Sequence, residues 1–140
     1  MDIELLNSVP GGRELASWFG YAPRFHDAEV LGLTLDRMGE TCSLRVHGFE
    51  MTSDVDAAGF YVCSKHVVVT FLVGDLTTLE LYDFNHQNAL MGLSITRGPE
   101  GEFRLELDPA YGLSGVIEGR TLEIALEPGI PAGGQHLKLG

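Results

Sequence analysis

Past residue 27 the chain alternates apolar and polar side chains with a period of two. Leu31, Leu33 and Leu35 alternate with Gly32 and Thr34, and Leu44 and Val46 with Arg45 and His47. The pattern is cleanest further on. There Phe103, Leu105 and Leu107 alternate with Glu102, Arg104, Glu106 and Asp108, and Leu122, Ile124 and Leu126 with Glu123 and Glu127. Successive side chains of a strand point to opposite faces, so these last two segments predict strands with one buried and one wet face. Residues 66–73, HVVVTFLV, are apolar almost throughout and predict a central strand covered on both faces. Turn signals at Met38-Gly39-Glu40, Gly74-Asp75, Gly98-Pro99-Glu100-Gly101 and Glu118-Gly119-Arg120 divide the runs into seven or eight strands.

Before Pro23 the period is helical. In residues 8–20, SVPGGRELASWFG, Leu15, Trp18 and Phe19 fall at i, i+3 and i+4 on one face. Ser8 or the Gly11-Gly12 pair can begin this helix, Glu14 suits its first turn, and Gly20 can end it. The expected fold is α+β, mainly β: an antiparallel meander with one short N-terminal helix packed on it, burying Trp18 and Phe19. Residues 51–59, MTSDVDAAG, show no period and predict a mobile loop. Residues 1–128 read as a single globular domain, and the Gly-rich tail 129–140 as frayed.

Charge changes the picture more than length does. Nine Lys+Arg against 20 Asp+Glu give a net charge of −11. A field of that sign repels phosphate backbones, which argues against nucleic-acid binding and favours basic partners. No basic n-region precedes an apolar stretch, and no window reaches the about 18 apolar residues of a membrane span. The chain therefore reads as cytoplasmic, without membrane association. Cys42 and Cys63 show no C-x-x-C spacing and read as small buried hydrophobes.

Two polar knots carry the candidate chemistry. The first is His26-Asp27-Ala28-Glu29 after Phe25; the second follows Phe84 as Asn85-His86-Gln87-Asn88. A faint echo links them, since each follows a Phe and leads to a Gly-Leu pair and then Thr-Leu or Ser-Ile. An imidazole beside carboxylates suits a metal or acid–base site. On a regular strand, however, Asp27 and Glu29 share one face while His26 points to the other. His47, His66 and His86 supply no recognised ligand spacing. The more economical reading is structural, with the knots buried and bonded to backbone: Asp27 accepting from strand N–H groups, Phe25 plugging the helix–sheet seam, and Asn85, Gln87 and Asn88 serving as paired donors and acceptors. Neither a catalytic residue, nor a metal ligand, nor a cofactor site is expected.

The order Trp18-Phe19-Gly20, then Pro23-x-Phe25-His26-Asp27-Ala28-Glu29-Val30, then Phe84-Asn85-x-Gln87-Asn88, then Tyr111-Gly112-x-x-Gly115 resembles immunity protein family fifty. These are small bacterial proteins grouped with polymorphic-toxin systems. The resemblance runs from about Leu5 to Leu126. It implies no enzymatic activity. It implies instead that the protein binds and neutralises a toxin encoded nearby, which for an acidic chain suggests a basic nuclease domain. The wet positions Glu102, Glu106, Asp108, Glu123 and Glu127 would form the acidic binding patch if their strands are neighbours. Two alternatives stay open. One is a small metal-dependent or acid–base hydrolase using His26, Asp27 and Glu29; the other is a homo-oligomeric scaffold.

Overall fold

A computed structural model of the chain describes residues 1–133, so the 134–140 part of the tail expected to fray lies outside the described residues. Two helices come first, α1 (Ile3–Asn7) and α2 (Gly12–Phe19). Six strands follow: β1 (Glu29–Asp36), β2 (Thr41–Val55), β3 (Tyr61–Tyr82), β4 (Ala89–Arg97), β5 (Phe103–Tyr111) and β6 (Ser114–Pro128). All pairings are antiparallel, and the strands close into a barrel in the order β1-β2-β3-β6-β5-β4.

The mainly β, antiparallel character agrees with the sequence pattern; the strand count and the single meander do not. Strands β1 to β3 form one three-stranded meander and β4 to β6 another. They join edge to edge twice, through β1·β4 and β3·β6. The turns expected at Gly74-Asp75 and Glu118-Gly119-Arg120 lie inside β3 and β6. Both strands are long, 22 and 15 residues, and pair side by side through the point where Leu76 opposes Gly119. A Cβ on Gly119 would overlap the Gly74 carbonyl, so this glycine serves close approach of two backbones. A register shift follows immediately, between Leu76 and Thr78.

The helix prediction holds for α2. Gly11 and Gly20 flank it in the left-handed conformation, at φ +82° and +85°. Ser8 instead closes a second, shorter helix that the periodicity did not announce, capped at its start by Asp2, whose carboxylate accepts from Leu5 N at 2.8 Å. The link between the helices is tied to β6, where Ile124 N donates to Pro10 O at 2.8 Å. Leu6, Leu15 and Phe19 are buried in the same core as Leu44, Val69, Phe71, Leu105 and Ile117. Truncating a fully buried side chain such as Phe71 to Ala costs about 3–5 kcal/mol. Trp18, expected beneath the sheet, is only partly buried. Leu35, expected on an inner face, opposes the buried Cys42 yet is largely exposed, because β1 meets β4 only at Glu29 and its far end has no second neighbouring strand among the described residues. The supposed loop 51–59 is a hairpin: residues 51–55 continue β2, and β3 resumes at Tyr61.

Candidate functional site

The two polar knots, sixty positions apart in sequence, meet in space. They flank the seam that closes the barrel, where Glu29 of β1 opposes Ala89 of β4. Asp27 N donates to Leu90 O at 2.9 Å, Leu90 N to Ala28 O at 2.9 Å, and Val30 N to Asn88 O at 2.8 Å. To deliver these donors the chain bends through two left-handed residues, Phe25 at φ +59° and Asp27 at φ +64°. Asp tolerates that region; for Phe it costs about 1–2 kcal/mol. Burial of the Phe25 ring offsets the cost. It packs edge-on between Phe19 and Phe71, with centroids 6.3 and 5.6 Å away.

Asn88 organises the second knot. Only 4% exposed, its Oδ1 accepts from Asn85 N at 3.1 Å and Leu113 N at 2.9 Å, while its Nδ2 donates to Asn85 O at 2.7 Å. One amide thus satisfies the β3–β4 connection and the β5–β6 turn together. A Cβ on Gly112, at φ +81°, would overlap that same amide. Around this hub Asn85 Oδ1 accepts from Gln87 N at 2.9 Å, and Gln87 Nε2 donates to Tyr111 Oη at 3.4 Å.

The remaining knot residues are wetter than expected. His26, Phe84, Asn85 and Gln87 are exposed, and Asp27 and Glu29 are half-buried. The Asp27 carboxylate accepts from no backbone N–H among the described contacts; it faces His26 Nδ1 at 3.1 Å, with the two side chains 46% and 62% exposed. Because residues 25 and 27 are left-handed, His26 and Asp27 sit in a turn ahead of β1 rather than on the strand. They border a hollow of about 360 Å³ with Tyr21, Glu50 and Met51. Glu29 borders a different cleft, of about 690 Å³, with Arg45, Asn85, His86 and Glu127. Its Oε2 is buried and meets no hydrogen-bond partner among the described residues. The trio His26, Asp27 and Glu29 therefore does not converge.

His47 and His66, unremarkable in spacing, come together across the β2–β3 ladder with Nε2 and Nδ1 3.1 Å apart, beside Phe49. Among the described residues no three His, Cys, Asp or Glu side chains gather where they could share an ion. Burial pushes the Cys42 thiol up to about 11, and burial, then the Asp27 charge, raises that of Cys63. Neither is a ready thiolate.

The acidic positions are split. Strand β5 pairs with β6 only through residues 103–107 with 115–119, whereas Glu123 and Glu127 lie on the part of β6 that pairs with Leu72 and Val68 of β3. Arg104 engages Glu106 at 2.7 Å and also Glu118, and Glu102 accepts from Glu100 N in its own turn. Asp108, Glu123 and Glu127 are exposed, and none forms an ion pair among the described residues.

Sequence reasoning missed the clamp at the base of the β2–β3 hairpin. Trp18 Nε1 donates to Lys65 O at 2.8 Å, Lys65 Nζ to Phe19 O at 2.9 Å, and Tyr21 Oη to Glu50 at 3.3 Å, with Lys65 and Glu50 paired at 3.1 Å. No local motif announces hydrogen bonds that span 29 to 47 residues of sequence. The one available signal was an indole N–H, which seeks an acceptor wherever it is partly buried.

No helix among the described residues is long and apolar enough to cross a membrane. Comparison with known proteins finds no matching family model, no similar curated protein and no similar solved structure.

Proposed function

We propose that this chain is a non-enzymatic immunity protein that acts in the cytoplasm by binding and neutralising a basic toxin. The observation that carries the reading is how the motif side chains are used. Asn85 and Asn88 bond to backbone and Gln87 to the Tyr111 hydroxyl, while His26 and Asp27 form an exposed pair apart from Glu29. Such an arrangement supports a scaffold whose work is done at its surface. The hydrolase alternative needs its three residues around one substrate atom, within hydrogen-bond reach of the proton transferred, and they border separate hollows. The net charge of −11 steers a cationic protein toward the barrel.

The test uses the toxin domain encoded beside the gene. Mixed with the protein, it should form a stable complex and lose its activity, with an association rate that falls as salt shortens the Debye length from about 30 Å at 0.01 M to about 8 Å at physiological strength. A toxin domain that remains active and unbound at micromolar concentrations of both would refute the reading.

A further inference from the structure

The β2–β3 hairpin runs past the barrel and carries a cluster of exposed apolar side chains. Met51, Val55, Phe60 and Tyr61 are 51%, 57%, 65% and 60% exposed. The register shows how they are arranged. Val55 opposes Tyr61 and Met51 opposes Cys63, so Met51, Val55 and Tyr61 share a face. Alternation puts Val62 on the other face, and Phe60 lies at the tip just before β3 begins. A hairpin apolar on both faces is not covered by a flat surface; it is covered by a cleft that takes it in.

The hairpin is also held in shape. The clamp of Trp18, Lys65, Glu50 and Tyr21 pins its base, where the β2–β3 register slips between Gly48 and Glu50. At the tip Asp56 Oδ1 accepts from Ala58 N at 2.9 Å and Phe60 N at 3.0 Å, and Thr52 Oγ1 donates to Val62 O at 2.7 Å. Apolar groups fixed in water in this way lose little freedom on binding. Between Glu50 and Lys65 the only charges are Asp54 and Asp56, both negative. A second copy would set these carboxylates against its own, in a chain of net charge −11. A basic partner would pair them.

We infer that this hairpin is the docking element, inserting Phe60 and Tyr61 into a concave, basic-rimmed surface of a partner protein. The inference rests on the binding role proposed above but names the surface, which the seam cleft and the β5–β6 carboxylates do not share.

The experiment is hydrogen exchange of the protein alone and with the toxin domain encoded beside its gene, together with the double variant Phe60→Ser, Tyr61→Ser. The expected result is slowed exchange across residues 51–63 in the complex. The double variant should unfold at the wild-type temperature and bind about 100-fold more weakly, as loss of two central aromatic anchors does. Binding with unchanged exchange in 51–63, or unchanged affinity of the variant, overturns the docking role and leaves the immunity reading standing. If the wild type does not bind that toxin, the immunity reading fails. A photocrosslinking phenylalanine analogue at position 60, in cells of the source organism, then decides the inference alone. Crosslinks to a basic protein support it; crosslinks to a second copy of the chain, or none, overturn it.

Discussion

The barrel seam and the β2–β3 hairpin treat their side chains in opposite ways. At the seam, polar side chains complete the backbone: Asn88 alone serves Asn85 and Leu113, and the chain accepts a left-handed Phe25 to bring Asp27 N to Leu90 O. At the hairpin the backbone pairs with itself, and large apolar side chains are left facing water. The lesson is that density of chemically capable residues does not mark the working surface. A His-Asp-x-Glu sequence reads as chemistry until each polar atom is followed to its partner. Exposed aromatics on a fixed scaffold are left uncovered by the described residues, and that is the more informative deficit.

The two cysteines divide the same way and give the largest expected contrast. Cys42 is wholly buried in the barrel wall, its thiol pushed up to about 11, while Cys63 lies half-buried on the hairpin. Native labelling with a thiol reagent at pH 8 should modify Cys63 first, with Cys42 slower by about a thousandfold or more because it must await unfolding. Equal rates would mean that the barrel wall opens as readily as the hairpin. Next in size is Asn88→Ala, which leaves the backbone N–H groups of Asn85 and Leu113 without their acceptor. Urea titration should show a loss of about 3 kcal/mol. A loss under about 1 kcal/mol would mean that the amide is not the hub described.

Lys65→Ala should cost about 1 kcal/mol, an exposed ion pair plus a hydrogen bond to Phe19 O. Its more telling effect is local: exchange in residues 51–63 should quicken while the seam amides of Asp27, Val30 and Leu90 keep their protection. Asp27→Asn should be the smallest, within about 0.5 kcal/mol, since Asn accepts the left-handed conformation and only a solvent-exposed contact with His26 is lost. A large loss there would restore the carboxylate to the locking role that the sequence suggested.

What the sequence made legible was local. Gly11 and Gly20 mark the ends of α2, the alternation in residues 103–107 and 122–126 is a true inner and outer face, and Phe25 fills the seam between α2 and the sheet. What it concealed was set by partners distant in the chain. Gly74 and Gly119 look like turn residues, and only the pairing of β3 with β6 shows that their backbones approach closely inside the ladder. The acidic residues looked like one patch because β5 and β6 are sequence neighbours, yet their ladder stops short of Glu123. Residues 51–59 looked like a loop because a hairpin exposed on both faces has no inner face, so its hydrophobic pattern has no period to detect.

The most direct test of the account sets one variant from each region against the other. Affinity for the neighbouring toxin domain is measured at physiological salt, beside unfolding free energy, for Asn88→Ala and for Phe60→Ser. The account predicts that Asn88→Ala loses about 3 kcal/mol of stability while its folded fraction binds within about twofold of wild type. Phe60→Ser should keep its stability to within about 0.5 kcal/mol and lose about 30-fold or more in affinity. The reverse pattern, with the seam variant stable but unable to bind and the hairpin variant binding normally, would contradict it.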